Sequence, residues 1–334
     1  MITRRSMSLA GGIVLISPSI TRAQPKEKAW RVGYIGIAPV GTSPESERSV
    51  GIFVQALRDN GFVEGKNMVL ERRAAEGRPD RAIALAVELV GLHVDVILAL
   101  GIDAALAATA ATKTIPIVIL STGDPVARGL AVSLARPGGN VTGLADLGDD
   151  LRVKRLQLLK AAAPKAVRVA WLHADLVRQL GASKGDAVRS EMDVAAKALG
   201  MSLVHIALDS PQDFQPATAA VVREHADAIM TLGESSYILR KELGEFAIQQ
   251  RLPLMAGNRL FMSGGALMSY GADFPEIYRK AATYVAKILN GAKPGDLPME
   301  QPTRFELIIN LKTANAIGLT IPQSLLLRAD EVIQ

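Results

Sequence analysis

Residues 94–100 read Val94-Asp95-Val96-Ile97-Leu98-Ala99-Leu100, apolar at every position but one, and Gly101 then turns the chain into an alanine-rich stretch, Asp103 to Thr112. A strand with one wet face alternates apolar and polar residues. A run without alternation is buried on both faces, the situation of a central strand in a parallel sheet. Parallel neighbours need a crossover connection, and the alanine-rich stretch is a suitable helix for it. Ile115-Pro116-Ile117-Val118-Ile119-Leu120 is the next strand.

The same theme extends in both directions. Upstream, Arg31-Val32-Gly33-Tyr34-Ile35-Gly36-Ile37 is a first strand, and residues 47–60 form a helix with Val50, Phe53, Val54 and Leu57 on one face and Gly61 at its end. Residues 67–71 are a second strand, and residues 79–92 a helix opened by Pro79. Downstream, the pattern restarts after Asn140-Val141-Thr142-Gly143. It predicts helices over 151–162, 187–199 and 211–225 and strands over 167–172, 202–207 and 228–232. Strands over 251–256, 266–270 and 304–310, a long helix over 274–289 and a turn over 291–298 complete the chain. Strand and helix in alternation specify an α/β protein with parallel sheets, and the restart specifies two such units.

The N-terminus has a different character. Arg4 and Arg5 precede the short apolar stretch Ala10 to Ile16, and Thr21-Arg22-Ala23 places small residues ahead of Gln24-Pro25, the three-part pattern of an export signal. The apolar stretch is far too short to span a bilayer. Cleavage near Ala23 and a periplasmic mature protein are expected. The paired arginines resemble a twin-arginine signal, although Met7-Ser8 departs from it, so the general and twin-arginine routes both stay open. The chain has no cysteine, so no thiol is available for a lipid anchor or a disulfide. The formal charge of +5 owes three arginines to residues 1–23, and without them 35 basic residues face 33 acidic ones. A nearly neutral chain with 4% aromatic residues and no basic block lacks the footprint of a nucleic-acid binder.

Several stretches resemble a known family. Leu57-Arg58-Asp59-Asn60-Gly61-Phe62-Val63-Glu64-Gly65-Lys66-Asn67, Ala75-Glu76-Gly77-Arg78-Pro79-Asp80-Arg81, the segment from Ser133 to Gly143, Leu267-Met268-Ser269-Tyr270-Gly271 and the segment from Gln301 to Ala314 together resemble the substrate-binding proteins of bacterial ABC importers, in the group that includes tryptophan- and tyrosine-type binders. The resemblance runs over nearly the whole mature chain and does not fix the ligand. It implies a type I periplasmic binding fold: two Rossmann-like lobes, joined by crossings near residues 143, 270 and 300, that close on a small molecule. It places residues 30–143 with about 271–300 in one lobe and 144–270 with about 301–334 in the other. It also implies an inner-membrane importer permease as partner. A monomer is expected.

Open α/β sheets bind ligands beyond the carboxyl ends of their strands. The candidate residues are therefore Thr42 and Ser43, Gly101, Ile102 and Asp103, Thr122 and Asp124 in the first unit, and His173, Glu234, Tyr237, Asn258, Tyr270 and Asp273 in the second. Gly101 to Ala104 can present the free amides of a helix start to a carboxylate, with hydroxyl donors from Thr42 and Ser43, or can form an ordinary turn with Asp103 as cap. Asp124, Glu234 and Asp273 each suit either a ligand ammonium or a helix cap. Tyr237 and Tyr270 read as rings in rim loops, able to stack on a ligand, whereas Tyr34 and Trp171 read as core.

Reactive chemistry is hard to find. The segment Gly61 to Lys66 is one residue short of a phosphate loop and lacks the following Ser/Thr, Gly33 and Gly36 do not extend to a dinucleotide fingerprint, and there is no G-x-S-x-G elbow. His93, His173, His205 and His225 are scattered without metal-ligand spacing. A non-catalytic solute binder without cofactor or metal is the expectation, with an amino acid or a similar small carboxylate or amide as solute. An exported α/β hydrolase or transferase, or a sensor for a membrane receptor, fits the same residues.

Overall fold

The computed structural model describes residues 29–36, 44–120, 122–145, 151–174, 181–232 and 234–334, so the expected export signal lies outside the described residues. In the first lobe, strands β1 (Trp30–Gly36), β2 (Met68–Ala74), β3 (Val96–Leu100), β4 (Ile117–Leu120) and β5 (Val141–Gly143) form one sheet in the order β2-β1-β3-β4-β5. All its pairings are parallel. Helices α1 (Pro44–Asp59), α2 (Pro79–Gly91) and α3 (Ile102–Ala111) connect the strands.

The apolar run from Val94 to Leu100 supplies β3, the central strand of this sheet. Val96 and Leu98 pack with Phe53 and Leu57 of α1 on one face, while Ile97 and Ala99 pack with Ala86 and Leu89 of α2 on the other. The alanines of α3 have a packing reason: Ala104, Ala105, Ala107 and Ala108 are buried, and their small side chains let α3 lie close to the sheet and to α2.

The second lobe repeats the plan. After α4 (Leu151–Ala162) come β6 (Arg168–His173), α5 (Ala182–Ala198), β7 (Ser202–Ala207), α6 (Phe214–Arg223), β8 (Ala228–Leu232), α7 (Glu234–Ile238), α8 (Arg240–Gln249), β9 (Leu254–Ala256) and β10 (Met268–Ala272). Their order, β7-β6-β8-β9-β10, is that of the first sheet shifted to new numbers. Helix α9 (Phe274–Leu289) returns to the first lobe, where it packs along α1. The chain then re-enters the second lobe as β11 (Phe305–Asn310), α10 (Leu311–Ile317), α11 (Gln323–Leu326) and β12 (Glu331–Ile333). Strand β11 joins β10 antiparallel, and β12 joins β11 parallel.

The chain thus passes between the sheets three times, and two of the passages are bonded to each other. Ala145 N donates to Glu300 O at 2.9 Å and Glu300 N to Gly143 O at 3.2 Å. The Glu300 carboxylate pairs with Lys280 of α9 at 3.0 Å, which anchors both passages to the first lobe. That pairing holds the Glu300 carboxyl below its usual range. Among the described residues, no helix is long and apolar enough to cross a membrane.

The helices over 151–162 and 274–289 and the strands over 202–207 and 228–232 fall where apolar spacing puts them. Helix α5 begins five residues before the expected 187, because Gly181 at φ 81° caps it and Gly185 N bonds to Gly181 O at 2.9 Å. The helix expected over 211–225 opens instead with a tight 3₁₀ turn, Pro211–Asp213, locked by the Asp213 carboxylate.

Candidate functional site

The repeated strand order places a topological switch point in each lobe, between β1 and β3 and between β6 and β8, and a ligand cleft is expected at the carboxyl ends of those strands. In the first lobe β3 and β4 run side by side with Leu100 opposite Leu120, so Gly101 and Thr122 leave the same end of adjacent strands. Gly101 adopts φ 84° and donates its amide to Leu120 O at 2.8 Å, and α3 starts at once. The amides of the first helical turn have no acceptor within the helix. Ile102 and Ala104 are buried, so this helix start is shielded from open solvent. Thr122 is 1% exposed, yet its Oγ1 has no hydrogen-bond partner. A buried hydroxyl left in that state is costly unless a further group completes it. Thr42 and Ser43 lie outside the described residues.

Asp124 is a structural cap. Its Oδ1 accepts from the amides of Val126 at 2.9 Å and Ala127 at 3.1 Å, the geometry of an Asx turn closing the loop after β4. Asp273 likewise caps α9, accepting from Glu276 N at 3.1 Å, and pairs with Arg304 at 3.6 Å. Asn258 caps the turn that follows β9, accepting from Leu260 N at 3.0 Å. Glu234 is the first residue of α7, and its side chain lies outside the described residues.

The two rim tyrosines stand differently from expectation. Tyr237 belongs to α7, whose first residue is Glu234, so the ring stands on a helix rather than in a rim loop. The side chain turns inward, 7% exposed, edge-on to Phe261 at 6.0 Å and beneath the Arg240 guanidinium at 4.5 Å. Tyr270 lies within β10, which runs two residues past the expected end, and its half-buried ring tilts against Phe305 at 6.3 Å. Tyr34 and Trp171 are core residues, 3% and 1% exposed.

His173 ends β6 at 3% exposure, with Trp171 at 4.6 Å and His205 at 5.7 Å between ring centres. Its Nδ1 meets Ala174 O at 2.7 Å, which makes Nδ1 the donor and leaves Nε2 buried without a partner. Burial, and less so the nearby His205 and Arg189, pushes its pKa below the ordinary imidazole value.

One important side chain escaped the sequence reading. Arg155 of α4 is 5% exposed and donates from Nε to Tyr270 O at 2.7 Å and from Nη2 to Gly257 O at 3.1 Å. A buried guanidinium thus ties the residue that follows β9 to the middle of β10. Gly271 shares the task, since any Cβ there would collide with Gly257 O. The available signal was Arg152 and Arg155, three residues apart within an otherwise leucine-rich helix and both buried.

The family model for ABC transporter substrate binding proteins matches residues 35–333. A tyrosine-binding protein of Clostridioides difficile is 27% identical over 292 residues, which cover 85% of this chain and 81% of that protein. A conserved domain protein from Vibrio cholerae superposes with a TM-score of 0.81 at 29% identity, over 91% of this chain and 100% of that one. An ABC domain from Streptococcus pneumoniae, in complex with L-Trp, has the same fold at a TM-score of 0.77 and 22% identity, covering 92% of this chain and 100% of the other.

Proposed function

This chain belongs to the ABC transporter substrate-binding protein family, and on that premise we propose that it is the non-catalytic, periplasmic solute receptor of an importer, monomeric, closing its two lobes on an aromatic amino acid. The lobes are residues 30–143 with about 271–300 and 144–270 with about 301–334, and the export signal is removed near Ala23. The inner-membrane permease is the partner to which the loaded protein delivers its solute.

The observation that carries the ligand class is the conjunction at the first lobe's rim of a buried helix start at Gly101 to Ala104 and the unpartnered Thr122 hydroxyl. The positive end of a helix and a buried hydroxyl without an acceptor together suit a carboxylate, which accepts and cannot donate. With Asp124 and Asp273 engaged as caps, the ligand ammonium falls to Glu234 at the opposite rim. The tyrosine-binding relative supports an aromatic side chain on the solute.

Native mass spectrometry of protein purified without refolding tests the reading. A single co-purified amino acid, released unchanged on denaturation, is the expected result. Multiple turnover of any released compound would replace the binder with an enzyme.

A further inference from the structure

The stretch Ala75-Glu76-Gly77-Arg78-Pro79-Asp80-Arg81 has no part in the ligand site described above. It forms the turn from β2 into α2 in the first lobe, and its backbone is unusual: Glu76 and Gly77 lie consecutively in the left-handed region, at φ 54° and 77°. The turn is fixed from both ends. Ala75 N bonds to Gly36 O at 2.9 Å, Arg78 N to Ala75 O at 3.0 Å, and Arg81 pairs with Glu76 at 2.6 Å.

Opposite this turn stands the second lobe. A Cβ placed on Gly77 would lie 2.8 Å from Ile238 Cδ1 and 3.0 Å from Pro211 Cγ, so Gly77 sits in a notch between the end of α7 and the turn that opens α6. The notch is as rigid as its counterpart, because the Asp213 carboxylate takes hydrogen bonds from the amides of Asp209 and Ser210 and from the Ser210 hydroxyl. Ile238 also packs against the first lobe's apolar cluster, which includes Ala75 and Leu130. A second contact between the lobes joins Lys184 Nζ of α5 to Ala127 O at 2.8 Å.

We infer that Gly77, seated between Pro211 and Ile238, is an inter-lobe latch that holds the cleft shut independently of the ligand. Only glycine meets both demands at this position, a left-handed φ and no side chain in the notch. Apolar contact across the seam favours the closed form, and a protein already biased toward its binding-competent form binds more tightly than one that must close first. Gly77 and Ile238 are positioning residues that set affinity without touching the solute. The inference rests on the two-lobe reading above, and its test is arranged to fail separately from that reading.

The chain has no native cysteine, so a single pair can be introduced for spin labels at the exposed positions Val87 and Val222, one on each lobe. In this background Ile238→Ala should move the ligand-free inter-lobe distance distribution to longer values, with the thermal midpoint showing that the protein is folded. With L-Tyr and L-Trp as probes, Ile238→Ala should lower affinity about tenfold, as expected for a half-buried isoleucine cut to alanine, mainly through faster dissociation. Gly77→Ala should weaken binding further. The double variant should lose less than the product of the two single losses, because removal of Cδ1 makes room for the new methyl. Coinciding distance distributions for the parent and Ile238→Ala would overturn the latch, as would affinity losses that multiply. If neither amino acid binds the parent, the proposed ligand falls and the distance comparison alone decides the latch.

Discussion

Replacing Arg155 with Met keeps an unbranched side chain of similar reach and removes the guanidinium from the second lobe. The bonds to Tyr270 O at 2.7 Å and Gly257 O at 3.1 Å go with it, in a site where the arginine is 5% exposed. A hydrogen bond to a charged group contributes about 1.5–3 kcal/mol, and each carbonyl stranded away from water adds a penalty of about 1–3 kcal/mol. The variant no longer has to desolvate a cation, and that gain offsets part of the loss. The net expectation is a loss of about 3 kcal/mol, a large share of the roughly 5–15 kcal/mol that holds a typical domain folded. Equilibrium urea unfolding reads it as a lower midpoint at unchanged slope. Affinity for L-Tyr should also fall at temperatures where the variant is fully folded, because open α/β sheets bind ligands beyond the carboxyl ends of strands such as β9. Arg155→Lys keeps the charge without the fork and should lie between the two. A loss below about 1 kcal/mol for Arg155→Met would refute the idea that this side chain braces β9 against β10.

Glu306, opposite Gly271 in β11, has a carboxyl that burial pushes up to about 7 despite Arg259 at 2.9 Å. A raised folded value makes its contribution greatest below the usual carboxylate range, about 4.5, and progressively lost as pH rises through about 7. Glu306→Gln should therefore flatten the decline in thermal midpoint between those pH values, and an unchanged profile would contradict the assignment. His173 acts in the opposite sense. Its depressed pKa gives stability that is present above the ordinary imidazole value of 6.5 and lost as pH falls below it, so His173→Phe should resist acid better than the parent in the same melting series. Asp124→Asn retains a capping oxygen and should leave affinity for L-Tyr within about twofold, whereas a tenfold fall in calorimetry would put the second carboxylate oxygen on the ligand.

What the sequence disclosed about the fold follows from what apolar spacing can report. The run from Val94 to Leu100 is buried on both faces, and Phe274 to Leu289 presents one apolar side, so both elements declared themselves. Tyr237 did not, because placing a ring at a rim or in a core depends on whether a helix starts one residue or several after the strand. Arg155 was hidden for another reason: the backbone carbonyls of Tyr270 and Gly257 that it bonds lie 115 and 102 residues away and leave no mark on neighbouring sequence. Asp124 and Asp273 show the limit for carboxylates. Beside a proline and ahead of a helix, the same residue suits a cap or a ligand ammonium, and the cap shows only in the amide distances. Gly77 was legible as part of a family stretch, but its notch comes from residues more than a hundred positions downstream.

We propose that the cleft holds one aromatic amino acid by its carboxylate. Isothermal titration of L-Tyr and L-Trp into the mature protein tests it most directly, with the decarboxylated amines tyramine and tryptamine and the variant Thr122→Val run in parallel. Saturable binding of about one amino acid per chain is expected, with affinity lower by roughly ten- to hundredfold when either the carboxylate or the Thr122 hydroxyl is removed. Equal affinity for amino acids and amines, or no binding of either amino acid to protein freed of co-purified ligand, would contradict it.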